Sequence, residues 1–500
     1  MRKQASFIFG IRVVRLAFAI LNLSFSARYF GVSLQRDVWL LALNAIVILD
    51  IAVWAPLNDT FRAKFLFIKA KDGEAKALLH TKSLLLVINL ITCVLVVLIM
   101  LFPGVIGQLL APDYGEHEQI TLKFMIRIVA PSFLINQITK ILISILNTYN
   151  SFIIPEITGF ITQVFTLVVI ITLAPSIGII SLAISYYAGL ILLLIMLLVQ
   201  LKKRNINLFA GIFSANLRIA LPFFAFSLPF FLPHFTSQIN VIAEKSLATS
   251  AAIGSVSILD YARKFSDIPL DVLIGILVSL LVPVLSLKFS TGMMKDFFEA
   301  FKKIYQFGFL ILALIIGLFT GCSGAIVDFL YKKGNISTLS LSKISELTMG
   351  YSWAAFGIFL YHIYGLSLLS SGKGKLFALY GTMAQLVMIG MNFYFFKDYS
   401  LYIFPFSLGS SHLIAAIVMA FYFPVRNSGL LVITVKYSLV VLVTGFLMYL
   451  LHIYLSDFGT PILVIIFNVI ALKLILVAMI FIARLEERTI ILKYLKKIVP

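Results

Sequence analysis

Long apolar runs recur along the whole chain, separated by short polar stretches, from near residue 6 to beyond residue 480. Runs of about 20 apolar residues are long enough to cross a bilayer as helices. The pattern predicts fourteen spans, at roughly 6–27, 37–58, 83–104, 121–146, 152–174, 177–200, 221–243, 250–287, 303–327, 346–370, 376–396, 401–424, 429–454 and 461–483. The expected fold is an all-α polytopic membrane protein, because helices satisfy their own backbone in hydrocarbon. The eighth run is too long for a straight crossing and should tilt, or break near Pro269. No soluble domain fits between the spans; the longest inner loop is expected over 64–82.

Residues 201–220 are polar and then amphipathic, and predict a cytoplasmic interfacial linker. It would join an N-terminal lobe of six spans (1–200) to a C-terminal lobe of six (221–425), followed by spans 13 and 14 (426–485) and a basic tail (486–500). ILNTYNSFIIPEITGF, joining spans four and five, resembles LLSSGKGKLFALYGT, joining spans ten and eleven. Both begin on the same side of the membrane, which suggests parallel halves.

The stretch 254–269, GSVSILDYARKFSDIP, breaks the apolar pattern. On a helix Asp260, Lys264, Asp267 and Asp271 share one face, and Arg263 can pair with Asp267 four residues on. Each ionisable group at a bilayer centre costs about 2.5–3.5 kcal/mol. Such a face must look into protein or water: either it lines a transport path, or its ion pairs only fix packing. Pro269 removes a backbone donor and should bend the helix.

Composition agrees with the pattern. The chain has 500 residues, 61% hydrophobic and 12% charged. The formal net charge of +19 does not point to nucleic acid, because the basic residues sit in short loops, where they set topology. With a cytoplasmic N-terminus, basic residues outside the spans favour the inner side by more than two to one, and both termini lie inside. The N-terminus is basic and then apolar, but Arg12 and Arg15 interrupt the apolar part; a retained first helix is expected rather than a cleaved signal peptide. Cys93 and Cys322 lie far apart in apolar segments, so neither a disulfide nor a metal site is expected.

Several polar groups remain inside spans. Arg12 and Arg15, three apart, share a face of the first helix. Two guanidiniums can hold a phosphate or diphosphate through charge-assisted bonds; alternatively they pair with Asp50 of the second span, or snorkel to the inner surface. Asp50, in mid-span, needs a cation, and those two arginines are the expected partners. Asn136, Gln137, Lys140 and Glu156 polarise the fourth and fifth spans, as cavity-lining groups or interhelical hydrogen bonds. Pro222, Pro229 and Pro233 make the seventh span pliable. His362 and His412 are isolated, without metal-ligand spacing. No G-x-x-x-x-G-K-[ST] and no nucleophile–base grouping occurs, which disfavours an ATPase or a hydrolase.

Three stretches carry a resemblance: SARYFGVSLQRDVWLLA, IRIVAPSFLINQITKILISILNTYNSFIIPEITGF, and SQIN followed by GSVSILDYARKFSDIPLDVLIGILVSLLVPVLS. Together they resemble the MurJ/MviN lipid II flippases of the multidrug/oligosaccharidyl-lipid/polysaccharide exporter superfamily, over about the first 290 residues. The resemblance implies two six-helix lobes around a cationic cavity, two C-terminal helices forming a groove for a polyprenyl tail, and alternating access. By position, Lys264 stands where the family has a cavity arginine, with Arg263 beside it, Asp267 at its acid and Ser257 at its serine. Asp37 matches the acid after Phe30-Gly31, and Arg12 and Arg15 resemble the first-helix arginines loosely. The family's second-span arginine falls near Asp50, and its Pro-Asn and Glu-Gly-Ala-Phe motifs are replaced by APLNDTFRAKF.

The expectation is therefore an inner-membrane flippase, not an enzyme, that moves an undecaprenyl-diphosphate-linked saccharide outward for peptidoglycan synthesis. Substrate-binding residues would be Arg12, Arg15, Asp37, Asp50, Ser257, Arg263, Lys264 and Asp267. Expected partners are that substrate and membrane lipid, with a coupling cation as a further candidate; no cofactor, metal or nucleic acid is expected. The alternatives are a polysaccharide repeat-unit flippase of the same superfamily and a cation-coupled multidrug exporter, which should prefer an acidic cavity. A membrane glycosyltransferase would need an acid in a sizeable outer loop, which is absent. In a cysteine-free background, cysteines at Gly115 and Lys333 should label from outside the cell and one at Gly73 only from inside; outside labelling at Gly73 overturns the orientation.

Overall fold

The computed structural model describes residues 2–149, 151, 153–206, 208, 216–425, 428–455, 459–489 and 491–492; side chains 2–9, 13, 229, 266, 276, 279, 280 and 428 lie outside that description. Of the linker expected over 201–220, residues 207 and 209–215 lie outside it, and the tail expected over 486–500 falls largely outside it. The described residues form seventeen α-helices and no strand. By contacts the chain divides into two units, Met1–Ser257 with Gly334–Ile336, and Ile258–Lys333 with Ser337–Pro500.

The first unit contains α1 (Arg2–Phe30), α2 (Leu34–Asp72), α3 (Glu74–Leu101), α4 (Pro103–Leu110), α5 (Glu116–Val129), α6 (Ser132–Thr148), α7 (Ile153–Ile177), α8 (Ile180–Lys203), α9 (Leu217–Ser227) and α10 (Phe231–Ala251). Ser33 caps α2, its hydroxyl accepting from the Arg36 N–H. The loop expected over 64–82 is not a loop. α2 continues to Asp72, α3 starts at Glu74, and only Gly73 separates them, at a φ of 90° that glycine adopts without strain. The charges there suggest a loop, yet Lys and Glu are good helix formers and no other Gly or Pro intervenes between residues 64 and 82. Packing partners are α1 with α7, α2 with α5 and α6, and α9 and α10 with α2. Phe61 of α2 stacks on Phe223 of α9, ring centroids 5.2 Å apart, in a core that includes Trp54, Phe65 and Phe133. α9 and α10 meet at 74° across the turn Leu228–Phe230, in the proline-rich span expected to be pliable.

The second unit contains most of α11 (Ser255–Ser290), then α12 (Met294–Tyr331), α13 (Thr338–Ser370), α14 (Gly374–Tyr399), α15 (Ile403–Phe421), α16 (Ser428–Leu455) and α17 (Pro461–Ile482). α11 stays helical through Pro269 instead of breaking there. α12 packs on α13, α16 and α17, and α13 on α15. Buried Phe301, Tyr305, Phe309, Phe359 and Tyr364 form an aromatic core at the α12–α13 seam.

Among the described residues, eleven helical stretches are long and apolar enough to span a membrane, or twelve if the bent α9–α10 pair is one span. The fourteen expected from hydropathy exceed this count for two reasons. α11 is not among the eleven, and α14 with α15 is scored as one stretch of 48 residues although the two helices fold back and pack on each other.

The α13–α15 seam depends on glycine. A Cβ on Gly357 would come within 2.0 Å of the Gly409 carbonyl oxygen, whereas one on Gly390 of α14 meets nothing within 4 Å. Gly357→Ala should therefore lower the thermal unfolding midpoint of the purified protein, by an overpacking cost of about 1–3 kcal/mol. Gly390→Ala should leave it unchanged or raise it slightly; equal midpoints for the two variants would contradict the close approach.

Candidate functional site

Four polar groups tie these helices together. In the first, α1 lays Arg12, Arg15 and Asn22 along the α7 face that carries Glu156, Gly159 and Gln163. Arg12 Nε donates to Glu156 Oε1 at 3.0 Å, its Nη2 donates to the same oxygen, and Arg15 Nη1 donates to Oε2 at 3.2 Å. Asn22 Nδ2 donates to the Gln163 carbonyl at 2.8 Å. Glu156 lies in the first turn of α7, where the helix dipole favours an anion. Its side chain is only 13% exposed, while that of Arg12 is 60% exposed. Gly159 makes the room: a Cβ there would lie 2.8 Å from Arg15 Nη1.

The second group corrects the expected pairing of Asp50 with Arg12 or Arg15. Asp50, buried on α2, accepts from Lys140 Nζ and, at 3.2 Å, from Asn136 Nδ2, both on α6. The reason is adjacency: α2 packs on α6, while α1 packs on α7. Asp50 Oδ1 is buried without a hydrogen-bond partner.

Asp37 anchors the third. It is fully buried near the start of α2 and accepts from the N–H groups of Gly254 at 2.6 Å and Ser257 at 2.7 Å, and from the Ser257 hydroxyl. Its carboxylate thus caps the N-terminus of α11, where backbone donors have no intrahelical partner. Tyr114, in the loop before α5, points its hydroxyl at Asp37 Oδ2 at 3.4 Å. Burial, and then the adjacent carboxylate, raise the Tyr114 phenol well above its ordinary range, so it stays a neutral donor. Asp37 and Ser257 were expected to touch substrate; here each is buried against the other.

The fourth group belongs to the second unit. Arg263 and Asp267 pair at 3.2 Å as their spacing predicts, and Arg263 also lies over the Tyr351 ring, 5.7 Å from its centroid. Lys264 and Asp260 stand 3.6 Å apart, with Lys264 53% exposed. Elsewhere in this unit an apolar groove of about 660 Å³ is lined by Leu360, Tyr364, Ala416, Ile417, Ala420, Leu430, Leu431 and Thr434, among others. It runs between α13, α15 and α16, so α16 contributes to it while α17 does not. No group of three or more possible metal ligands occurs among the described residues.

Sequence reasoning noted Glu156 and Lys140 without finding their partners. Distance from the membrane surface could not have done so, since Arg12, Arg15, Asp50, Lys140 and Glu156 all fall within about ten residues of the expected inner ends of their spans. Only the pairing of helices separates the possibilities.

The helix order defines a polytopic all-helical fold that is also seen in solved multidrug exporters. A solved inward-facing structure of a multidrug resistance MATE family transporter of the MOP superfamily matches with a TM-score of 0.69 at 14% identity, over 82% of this chain and 96% of that one. Within that fold the chain belongs to the lipid II flippase MurJ family, whose model matches residues 26–473. A solved structure of lipid II flippase MurJ in an inward closed conformation has a TM-score of 0.77 and 21% identity, covering 93% of this chain and 98% of that one. The lipid II flippase MurJ of Thermosipho africanus (strain TCF52B) is 30% identical over 183 residues, 36% of this chain and 37% of the relative. That alignment spans little more than a third of the curated relative's length. The family is one of multi-pass membrane transporters, not of enzymes.

The Asp50 contact makes a separable prediction. Lys140→Ala should reduce the yield of folded protein, near the lower end of the about 3–5 kcal/mol for breaking a buried pair, since Lys140 is 37% exposed. Adding Asp50→Asn should restore the yield. Restoration by a change at Arg12 or Arg15 instead would show that Asp50 pairs with α1 after all.

Proposed function

We propose that this chain carries an undecaprenyl-diphosphate-linked saccharide of the lipid II type across the inner membrane by alternating access, with both termini cytoplasmic. One observation carries the reading beyond family membership: α1 holds two guanidiniums against a single carboxylate, leaving a surplus of positive charge on a membrane helix. Such a surplus is costly in hydrocarbon and suits a ligand with a compact multiple negative charge. Lys264 and Arg263 on α11 are the further candidate cations. The exposed Lys264 makes a long contact, 3.6 Å, with Asp260 of its own helix, so little stability depends on that pair.

The lipid tail would stay in the bilayer or in an apolar groove, for which the cavity beside α16 is suited. Two lobes at 1–200 and 221–425, with 426–485 serving the tail, belong to the same proposal. Asp37 and Ser257 would act by holding α11 rather than by touching the diphosphate. One charge crossing the full membrane potential gains about 2.3 kcal/mol per 100 mV, enough to bias the cycle.

Depletion of the gene should make the undecaprenyl-diphosphate-linked peptidoglycan precursor accumulate on the cytoplasmic side. Accumulation of a polysaccharide repeat unit instead would reassign the substrate. In complementation, Lys264→Ala at normal protein level should abolish growth support and Lys264→Arg should keep part of it; full support by Lys264→Ala removes Lys264 from the binding set.

A further inference from the structure

Glu156 is the acid that the reading above leaves without a task. We infer that Glu156 is a built-in occupant of the two-arginine anion site, and that it sets the charge an incoming lipid head group must carry to enter. The inference rests on the proposal that Arg12 and Arg15 receive the diphosphate.

The geometry makes the carboxylate a substitute ligand. Each oxygen takes one arginine, Oε1 from Arg12 and Oε2 from Arg15, the division a bridging phosphate would make. A guanidinium has five N–H donors. The contacts with Glu156 use two of Arg12 and one of Arg15, and both arginines keep substantial exposure. Glu156 itself is nearly covered and sits at a helix N-terminus, where the helix dipole favours an anion. The site is therefore open on the cation side and plugged on the carboxylate side.

The charge balance gives the selectivity. Two guanidiniums and one carboxylate leave a net single positive charge. A singly charged phosphodiester, the head-group linkage of ordinary phospholipids, offers the arginines no more than Glu156 already does, and must also be desolvated and immobilised. A diphosphate brings more charge and two phosphates, one for each guanidinium, so it can displace the carboxylate. When it leaves, Glu156 returns to the arginines and opposes rebinding. If the Glu156-bound state holds about nine-tenths of the empty protein, the apparent affinity for diphosphate falls about tenfold below its intrinsic value.

The test is calorimetric binding to the purified full-length protein in detergent, with three probes: inorganic pyrophosphate, farnesyl diphosphate, and dimethyl phosphate as the singly charged diester. Relative to wild type, Glu156→Gln, which keeps size and hydrogen bonding, should bind both diphosphates about tenfold tighter and gain measurable affinity for dimethyl phosphate. Glu156→Asp, which keeps the charge, should behave as wild type, and size-exclusion profiles establish that both variants are folded. Unchanged or weaker diphosphate binding by Glu156→Gln overturns the inference, because Glu156 would then only position the arginines. The double variant Arg12→Ala with Arg15→Ala separates the two levels. If it loses diphosphate binding while Glu156→Gln does nothing, the anion site stands and the role of Glu156 fails; if it binds as wild type does, both fail. Tighter binding of farnesyl diphosphate than of pyrophosphate supports a lipid-borne ligand, and the reverse order overturns that part of the inference.

Discussion

A charge inside a bilayer must find an opposite charge, and in this protein that requirement decides how helices are tied. Glu156 binds α7 to α1, Asp50 binds α2 to α6, and Asp37 binds the start of α2 to the start of α11. None of these ties is the cheapest way to pack helices, since apolar side chains of similar volume often stabilise as well or better. The ties differ in what they leave over. Asp37 is enclosed and satisfied by backbone donors, so its contribution is positional. Arg12 is mostly exposed although paired, so its charge is presented as well as neutralised.

Much of the fold was legible because lipid leaves the backbone little choice. A long apolar run in hydrocarbon has to be a helix, and the helices fall where hydropathy places them. The exceptions lie where lipid stops dictating. Residues 64–82 read as a loop because they are charged, but charge only requires contact with water; α2 and α3 continue as helices until Gly73 turns the chain. The α14–α15 turn, by contrast, falls at the break expected between 396 and 401, although its residues Ser400–Tyr402 include no Gly or Pro.

The site was legible only where it is local. Arg263 with Asp267 and Lys264 with Asp260 follow from a helical spacing of four, and both pairs form. The long-range partners did not follow. Sequence identifies an unpaired acid in a span but not the helix beside it, and two cations at similar depth compete equally for it on paper. Lys140 obtains Asp50 because α6 lies on α2, and Arg12 and Arg15 take Glu156 because α1 lies on α7.

This difference between local and tertiary pairs bears on function. A contact between residues four apart on a helix face contributes about 0.3–0.5 kcal/mol, so Lys264 can part from Asp260 at little cost to folding. A tertiary pair such as Asp50–Lys140 cannot be given up so cheaply, because breaking it leaves a buried acid without its cation. Arg12 and Arg15 lie between these cases. They hold α1 against α7, yet share one carboxylate between two positive charges; on the function proposed above, an anion of higher charge would take them over without leaving either arginine unpaired. A membrane transporter needs charges of this intermediate kind: bound firmly enough to be carried in an apolar helix bundle, and loosely enough to exchange partners during each cycle.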